Sequence, residues 1–208
     1  MQLPRDHITN DVRDAIVIPI KQFDLAKERL RSAGAENVTA LAERLALGVL
    51  HGSRPRHVIV LSESKRVTDF ALAHGAEVVE SNASGLNEAV QLAYDQFGQR
   101  FDRLIIAHGD LRSPQGLGNF EPARGVTIVT DHHLRGTNVL VVPTRVNFRF
   151  AYGPDSSARH QREAQRLHVD CSVITDSAWR FDVDEPEDAF GLTESIWGGP
   201  KTPPNSTP

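Results

Sequence analysis

The sequence predicts a single α/β domain built on a mostly parallel β-sheet. Two observations carry this prediction. Short apolar runs alternate with segments of helical periodicity along most of the chain, and neither a repeat nor an internal linker interrupts the alternation. Strands and helices at this spacing form βαβ units, in which the strands run parallel. A length of 208 residues suits one large domain with a full hydrophobic core.

Seven short runs are predicted to be strands. The first reads AIVIPI and has the length of a buried strand, and later runs such as HVIVL and RLIIA are similar. In chain order the predicted strands are Ala15–Ile20, His57–Leu61, Glu77–Glu80, Arg103–Ala107, Gly125–Thr130, Asn138–Val142 and Val169–Thr175.

The segments between these runs are predicted to be helices. Thr39–Leu50 places apolar residues four apart on one face, and Gly52 follows it as a stop. Glycine ends two further segments in the same way. The other predicted helices are Lys65–His74, Leu86–Phe97, Asp155–Leu167 and Pro186–Leu192, the last with proline in its first turn.

Composition excludes several classes of protein. The chain has 23 basic and 27 acidic residues, a formal charge of −4, which argues against a dedicated nucleic-acid binder. Its single cysteine, Cys171, excludes an internal disulfide framework and a multi-cysteine zinc site. No run approaches the ~20 apolar residues of a membrane span. We therefore expect no nucleic-acid or membrane partner.

The two ends of the chain are expected to lie outside the domain. Residues 1–13 are charged and lack the apolar core of a signal peptide, so we interpret them as an extension of a cytoplasmic protein. Residues 198–208 read GGPKTPPNSTP, and such a composition predicts a disordered tail. The predicted domain therefore spans residues 14–197.

Ligands of parallel α/β sheets bind beyond the carboxyl ends of the strands, so the residues after each apolar run are the candidates for chemistry. Lys21 follows the first strand, and Lys27 comes six residues later. Such a loop can wrap an anion, because lysine supplies a point charge for phosphate. The alternative is a solvated helix face. No glycine-rich stretch precedes Lys21, so the segment is not a Walker loop.

Three aspartates form a candidate metal site. Asp110 follows the strand Arg103–Ala107, and Asp182 and Asp184 alternate in FDVDEP, so an extended chain places both on one side. Adjacent carboxylates repel unless a cation lies between them, and Mg²⁺ prefers carboxylates together with substrate phosphates. The alternative is that these residues cap turns or the helix at Pro186.

A second candidate site lies where the loop YGPDSS opens a helix at residues 152–157. Free backbone N–H groups at a helix N-terminus bind anions, although an ordinary cap explains the same residues. The sequence has no Gly-x-Ser-x-Gly elbow and no Gly-x-Gly-x-x-Gly after the first strand. These absences count against a serine hydrolase and a nicotinamide dehydrogenase.

Six segments, in order, resemble the small guanylyltransferases of coenzyme F420 biosynthesis. That family acts on 2-phospho-L-lactate, phosphoenolpyruvate or 3-phosphoglycerate. The resemblance covers nearly the whole chain, from Ile16 to about Leu192. It is carried by IPIKQFDLAKERL, GLNEAV, HGDL, TDHHLRGTNVL, FAYGPDSSARH and FDVDEPED.

The resemblance implies a fold and a set of site residues. The fold is a single Rossmann-like nucleotidyltransferase domain of the glycosyltransferase-A type, with helices on both faces of the sheet. It implies Mg²⁺ bound by Asp110, Asp182 and Asp184, which with Lys21 are the implied catalytic residues. The implied nucleotide-binding residues are Lys21, Lys27, Gly85, Leu86 and Asn87. The implied acceptor-binding residues are Thr137, Gly153 and Ser156.

The resemblance also implies the reaction. GMP would pass from GTP to a phosphorylated carboxylic acid with release of pyrophosphate. We expect phosphoenolpyruvate as acceptor, with 2-phospho-L-lactate and 3-phospho-D-glycerate as alternatives. By analogy the product is handed to the transferase that couples it to the deazaflavin.

Two other functions remain open. One is another nucleotidyltransferase of this fold, serving molybdenum cofactor or a sugar phosphate. Those relatives carry Leu-Ala-Gly-Gly after the first strand, where this chain has Pro-Ile-Lys. The other is a non-catalytic nucleotide-binding domain, which the three aspartates disfavour.

Three features depart from the family pattern and bear on the acceptor. Arg112 stands where proline usually follows the Asp-Leu pair. The connection 112–125 is short, and Asp155 stands where many relatives have a second glycine.

Overall fold

The structure is a computed structural model that describes residues 13–81 and 83–189. Seven strands form one sheet in the order β3-β2-β1-β4-β6-β5-β7. The strands are β1 (Asp14–Ile20), β2 (His57–Ser62), β3 (Glu77–Glu80), β4 (Arg103–Ala107), β5 (Val126–Thr130), β6 (Thr137–Pro143) and β7 (Cys171–Ile174).

The sheet is mixed and mostly parallel, which confirms the predicted fold class. β1 pairs in parallel with β2 and β4, β2 with β3, and β5 with β7. Only β6 runs against its neighbours, antiparallel to both β4 and β5. Each predicted strand is present: β3 and β4 have the predicted bounds, and the others shift by one or two residues at an end, most in β7, which is shorter than predicted.

Five α-helices accompany the sheet. They are α1 (Glu28–Ser32), α2 (Val38–Gly52), α3 (Lys65–Ala73), α4 (Leu86–Phe97) and α5 (Ser156–Arg166). Three 3₁₀ turns cover Leu117–Asn119, Ala178–Arg180 and Pro186–Ala189. The short connection 112–125 therefore contains one 3₁₀ turn and no α-helix.

The last predicted helix begins at Pro186 as predicted, and its described part, Pro186–Ala189, is a 3₁₀ helix. The Asp188 carboxylate accepts the backbone N–H groups of Asp184 and Glu185 at 3.0 and 2.8 Å, which holds the chain in a tight turn. The rest of the predicted helix lies outside the described residues, as do the tail and all of the N-terminal extension except Arg13.

Helices cover both faces of the sheet. On one face, α4 and α5 pack on residues such as Val17 and Ile106. On the other face, α2 and α3 pack on residues such as Ile16 and Ile105. The central strands read as continuous apolar runs because both of their faces are buried. Among the described residues, no helix is both long and apolar enough to cross a bilayer.

Candidate active site

A cleft of about 570 Å³ lies at the carboxyl ends of β1, β2 and β4. Here the chain order of the strands reverses, since β2 lies on one side of β1 and β4 on the other. Ligands of open α/β sheets bind at such switch points, and the volume is typical of a small-molecule site. The residues lining the cleft include Lys21, Lys27, Gly85, Leu86, His108, Asp110 and Asp184.

Gly109 brings the residues after β4 close to β1. A Cβ atom at Gly109 would lie 3.2 Å from the carbonyl oxygen of Pro19 and 3.3 Å from Cγ1 of Ile20. Both distances are tighter than ordinary van der Waals contacts. A larger residue would push the turn His108–Asp110 away from β1, so glycine at this position keeps Asp110 at the edge of the cleft.

A short antiparallel bridge aligns the two aspartate segments. Leu111 pairs with Asp182, and the Arg112 N–H donates to the carbonyl of Phe181 at 2.8 Å. The Val183 N–H donates to the carbonyl of Asp110 at 3.2 Å. Two backbone hydrogen bonds thus fix Asp110 against Asp182, although the residues are far apart in sequence.

Val183 anchors the second segment. Its side chain is fully buried in a small cluster with Leu30 of α1 and with Val38, Leu41 and Leu45 of α2. Side chains alternate along an extended chain, so burying Val183 turns its two aspartate neighbours the other way.

Lys27 binds two of the three predicted metal ligands. Its Nζ contacts the Asp110 carboxylate and lies 2.9 Å from Oδ1 of Asp184. The Lys27 side chain is only 5% exposed. Burial alone would lower the pKa of Lys27, but the charges of Asp110 and Asp184 outweigh it and raise that pKa. Burial would raise the pKa of Asp110, and the charges of Lys27 and His108 lower it overall.

His108, Asp110 and Asp182 form a donor set for a cation. A ring nitrogen of His108 and one carboxylate oxygen from each aspartate all lie within 4.8 Å of one another. Burial, together with the negative charges of Asp110 and Asp184, raises the pKa of Asp182. His108 Nε2 is buried without a hydrogen-bond partner among the described residues. A divalent cation fits this set, because it would balance the two carboxylates and accept a ring nitrogen of His108 as a ligand.

The structure therefore brings Asp110 and Asp182 together, as predicted, but adds His108 to them. Asp184 is outside this donor set, and its carboxylate is paired with Lys27. Its role as a metal ligand stays a prediction.

Asn138, to which the sequence assigns no role, connects the turn after β4 with the segment that carries Asp182. Its carbonyl accepts the His108 N–H at 3.0 Å. Its side-chain amide donates to the carbonyls of Trp179 and Arg180 at 3.3 and 3.0 Å and to Oδ1 of Asp182 at 3.3 Å. The only signal in the sequence was an amide at the start of a strand, directly after Gly136 and Thr137.

A protein-family model described as "Guanylyl transferase CofC like" matches residues 14–202. The chain belongs to this family. A 3-phospho-D-glycerate guanylyltransferase of Colwellia psychrerythraea is 32% identical, over 85% of this chain and 90% of that protein. A phosphoenolpyruvate guanylyltransferase of Sphaerobacter thermophilus is 30% identical, over 83% and 88%. A 2-phospho-L-lactate guanylyltransferase of Methanothermobacter thermautotrophicus is 27% identical, over 85% and 82%. Like these relatives, the chain is a nucleotidyltransferase.

Solved structures confirm the fold of this guanylyltransferase. A putative nucleotide-diphospho-sugar transferase from Desulfovibrio desulfuricans superposes with a TM-score of 0.63 at 14% identity, covering 84% of this chain and 83% of its own. A 4-diphosphocytidyl-2C-methyl-D-erythritol synthase superposes with a TM-score of 0.56 at 11% identity, covering 87% and 96%.

The residues implied for nucleotide binding divide into two groups. Lys21, Lys27, Gly85 and Leu86 line the cleft of the guanylyltransferase. Asn87 instead holds the backbone of Tyr152, accepting its N–H at 2.6 Å and donating to its carbonyl at 3.2 Å. The Asn87 amide thus fixes the loop before α5 to the start of α4.

The residues implied for acceptor binding surround a buried histidine. Thr137 and Ser156 are each 2% exposed, and His160 is fully buried. The Ser156 hydroxyl lies 3.3 Å from the Thr137 hydroxyl, which lies 3.1 Å from Nδ1 of His160. Nε2 of His160 accepts the N–H of Ala151 at 3.1 Å, so the proton of the neutral ring is on Nδ1. Gly153 is exposed nearby.

Two departures from the family pattern have a structural basis. Asp155 has φ 55° and ψ 32°, in the left-handed region where glycine is typical and where aspartate is tolerated. Its carboxylate accepts a hydrogen bond from Nε of Arg135 at 2.7 Å. Arg112 supplies the N–H that bonds to Phe181, and proline has no such donor.

Proposed function

We propose that this guanylyltransferase transfers GMP from GTP to phosphoenolpyruvate, as a step of coenzyme F420 biosynthesis. The observation that carries the proposal is the cleft at the switch point of the sheet. There Lys21 and Lys27 lie beside Asp110 and Asp184, and Asp182 adjoins Asp110, in a chain that belongs to the guanylyltransferase family. Phosphoenolpyruvate is the proposed acceptor because several relatives at 24–30% identity are named for it, and 3-phospho-D-glycerate, for which a 32% identical relative is named, is the alternative.

In the proposed reaction, an oxygen of the acceptor phosphate attacks the α-phosphorus of GTP in line. The bond from that phosphorus to the oxygen bridging the α- and β-phosphates breaks, and pyrophosphate leaves. The second pKa of a phosphomonoester is near 6, so the attacking group is already mostly a dianion at neutral pH. The reaction needs no general base. It requires that the acceptor phosphate and the triphosphate, which repel each other, be held in line.

Cationic groups in the cleft reduce the repulsion between the two anions. Lys21 lines the cleft and pairs with no carboxylate among residues 13–81 and 83–189, so its ammonium group is available for the triphosphate. We propose that Asp110 and Asp182, with Asp184 beside them, hold Mg²⁺. A bound Mg²⁺ ion would neutralise charge on the phosphates. The loop at Gly153 and the start of α5 would hold the acceptor, chiefly through backbone groups.

The test is pyrophosphate release from GTP and Mg²⁺ with each of the three phospho-acids supplied separately. We expect release that depends on phosphoenolpyruvate, and loss of turnover without loss of fold in Asp182→Asn. Release with 3-phospho-D-glycerate or 2-phospho-L-lactate alone would correct the acceptor and keep the reaction. Folded protein that binds GTP but releases no pyrophosphate with any of the three would refute guanylyl transfer to these acids.

Two further predictions concern the cell. We expect a cytoplasmic enzyme whose product passes to the deazaflavin-coupling transferase. Sequential assays with that transferase, in which its turnover rises on adding this chain, GTP and the acceptor, would test the second expectation.

A further inference from the structure

A metal centre built only from carboxylates would give His108 no role in the site. His108 is the first residue after β4, and its backbone N–H is held by the Asn138 carbonyl at 3.0 Å. Its ring lies beside that of Tyr152, with the centroids 5.8 Å apart. The imidazole is therefore fixed in place at the edge of the cleft.

The buried nitrogen of this ring makes no hydrogen bond among the described residues. Nε2 is one of a small set of buried side-chain atoms in that state. Leaving a buried polar atom without a hydrogen bond is unfavourable, so such an atom in a cleft calls for a ligand. Neither Asp110 nor Asp182, its acidic neighbours, accepts a hydrogen bond from it.

The distances suit shared coordination better than hydrogen bonding. Ligand atoms about 2.1 Å from one ion are at most about 4.2 Å apart, and the three donor atoms here lie within 4.8 Å. Small side-chain rotations would bring them to a common ion.

We infer that His108 is a metal ligand, and that it turns the site from an all-oxygen centre into a mixed nitrogen and oxygen centre. This inference rests on the proposed function, because it concerns the ion that assists guanylyl transfer. Oxygen-only sites suit Mg²⁺ and Mn²⁺ alike, whereas a nitrogen ligand favours first-row transition ions, of which Mn²⁺ is the weakest binder, over Mg²⁺. The site therefore selects Mn²⁺ over Mg²⁺ more strongly than the two carboxylates alone would.

The test is pulsed electron paramagnetic resonance of Mn²⁺ added to the untagged full-length chain without nucleotide, whose base would itself supply nitrogen. We expect ¹⁴N modulation from one imidazole. The modulation should vanish in His108→Asn and persist in His133→Asn, an exposed histidine on the neighbouring loop. Titration calorimetry should show that His108→Asn lowers the ratio of Mn²⁺ to Mg²⁺ affinity about tenfold or more.

Two outcomes would overturn the inference. One is Mn²⁺ bound without nitrogen modulation in the wild type, and the other is an unchanged affinity ratio in His108→Asn. If pyrophosphate release with Mg²⁺ persists in either case, guanylyl transfer stands and only the role of His108 fails. Loss of that release in the wild type would instead refute the proposed function.

Discussion

Lys27 occupies the position of a cation between two predicted metal ligands, so removing it should strengthen metal binding. In the structure its ammonium group contacts Asp110 and lies 2.9 Å from Asp184. An ion that binds Asp110 must displace or repel this ammonium. Lys27→Met keeps the length and apolar character of the side chain and removes the charge.

The size of the expected gain in metal affinity follows from the contacts of Lys27 that the ion replaces. Hydrogen bonds to charged groups contribute about 1.5–3 kcal/mol each. The Asp184 side chain is 52% exposed, so water weakens its ion pair with Lys27. The Asp110 side chain is 26% exposed, so its ion pair with Lys27 contributes most of the competition. A competition of about 2 kcal/mol corresponds to roughly a thirtyfold gain in metal affinity without nucleotide.

The variant should also become dependent on metal for its stability. Without Lys27, Asp110, Asp182 and Asp184 face one another with less compensation, so we expect the unfolding free energy to fall by about 1–3 kcal/mol. Saturating divalent cation should recover most of that loss, since a ligand that binds only the folded state stabilises it by mass action.

Titration calorimetry with Mg²⁺ and Mn²⁺, and thermal unfolding across a metal series, measure both effects. Lys21→Met is the matched control, because Lys21 lines the same cleft but pairs with no carboxylate among the described residues. We expect its metal affinity to change less than threefold. Affinity in Lys27→Met that equals or falls below that of the wild type would refute the competition.

Three further predictions concern residues around the site. Burial and the charge of Arg159 lower the pKa of His160 to about 4 from its ordinary 6.5. The unfolded chain therefore binds more protons between these values, so stability should fall by about 3 kcal/mol from pH 6.5 to pH 4. Urea unfolding at pH 7, 6 and 5 should show this slope in the wild type, and an equal slope in His160→Gln would contradict it. Asn138→Ala should keep the fold by circular dichroism and lower turnover about tenfold or more, by freeing the Asp182 segment; unchanged pyrophosphate release would count against this positioning role. Arg112→Pro should destabilise the chain by about 1 kcal/mol relative to Arg112→Lys in chemical unfolding, because it removes the N–H bonded to Phe181; equal stabilities would show that this hydrogen bond contributes little.

The fold could be predicted from the sequence because its signals are local. Ala15–Ile20 is apolar along its whole length, as a strand buried on both faces must be. Glycines at the ends of three helices mark these ends in the sequence itself: Gly52 is the last residue of α2, and Gly75 and Gly98 follow α3 and α4. The start of the helix at Pro186 could be predicted, whereas its 3₁₀ geometry could not. The Asp188 carboxylate bonds back to the N–H groups of Asp184 and Glu185, as an acidic side chain at the third position of a helix does.

The sequence predicts which residues belong to the site, but it does not predict which of them contact one another. Asp110 and Asp182 meet through backbone hydrogen bonds between segments about 70 residues apart, which no local pattern encodes. The same holds for Lys27, whose contact with Asp184 spans 157 positions. The motif that contains Asn87 does not encode the contact of its amide with Tyr152, and the role of Asn87 toward the nucleotide stays a prediction.

Asp155 shows how a departure from a family pattern can preserve the backbone and change the chemistry. Its φ of 55° lies in the left-handed region, so the position tolerates glycine or aspartate, but aspartate adds a negative charge beside the proposed acceptor loop. Arg135 pairs with that carboxylate at 2.7 Å and lowers the pKa of Asp155. The pair keeps the local charge neutral, and it also engages a guanidinium that a glycine at position 155 would leave available to an anion. We therefore expect a change at position 155 to act on the proposed acceptor side of the reaction and to leave the carboxylates and lysines of the cleft unaltered.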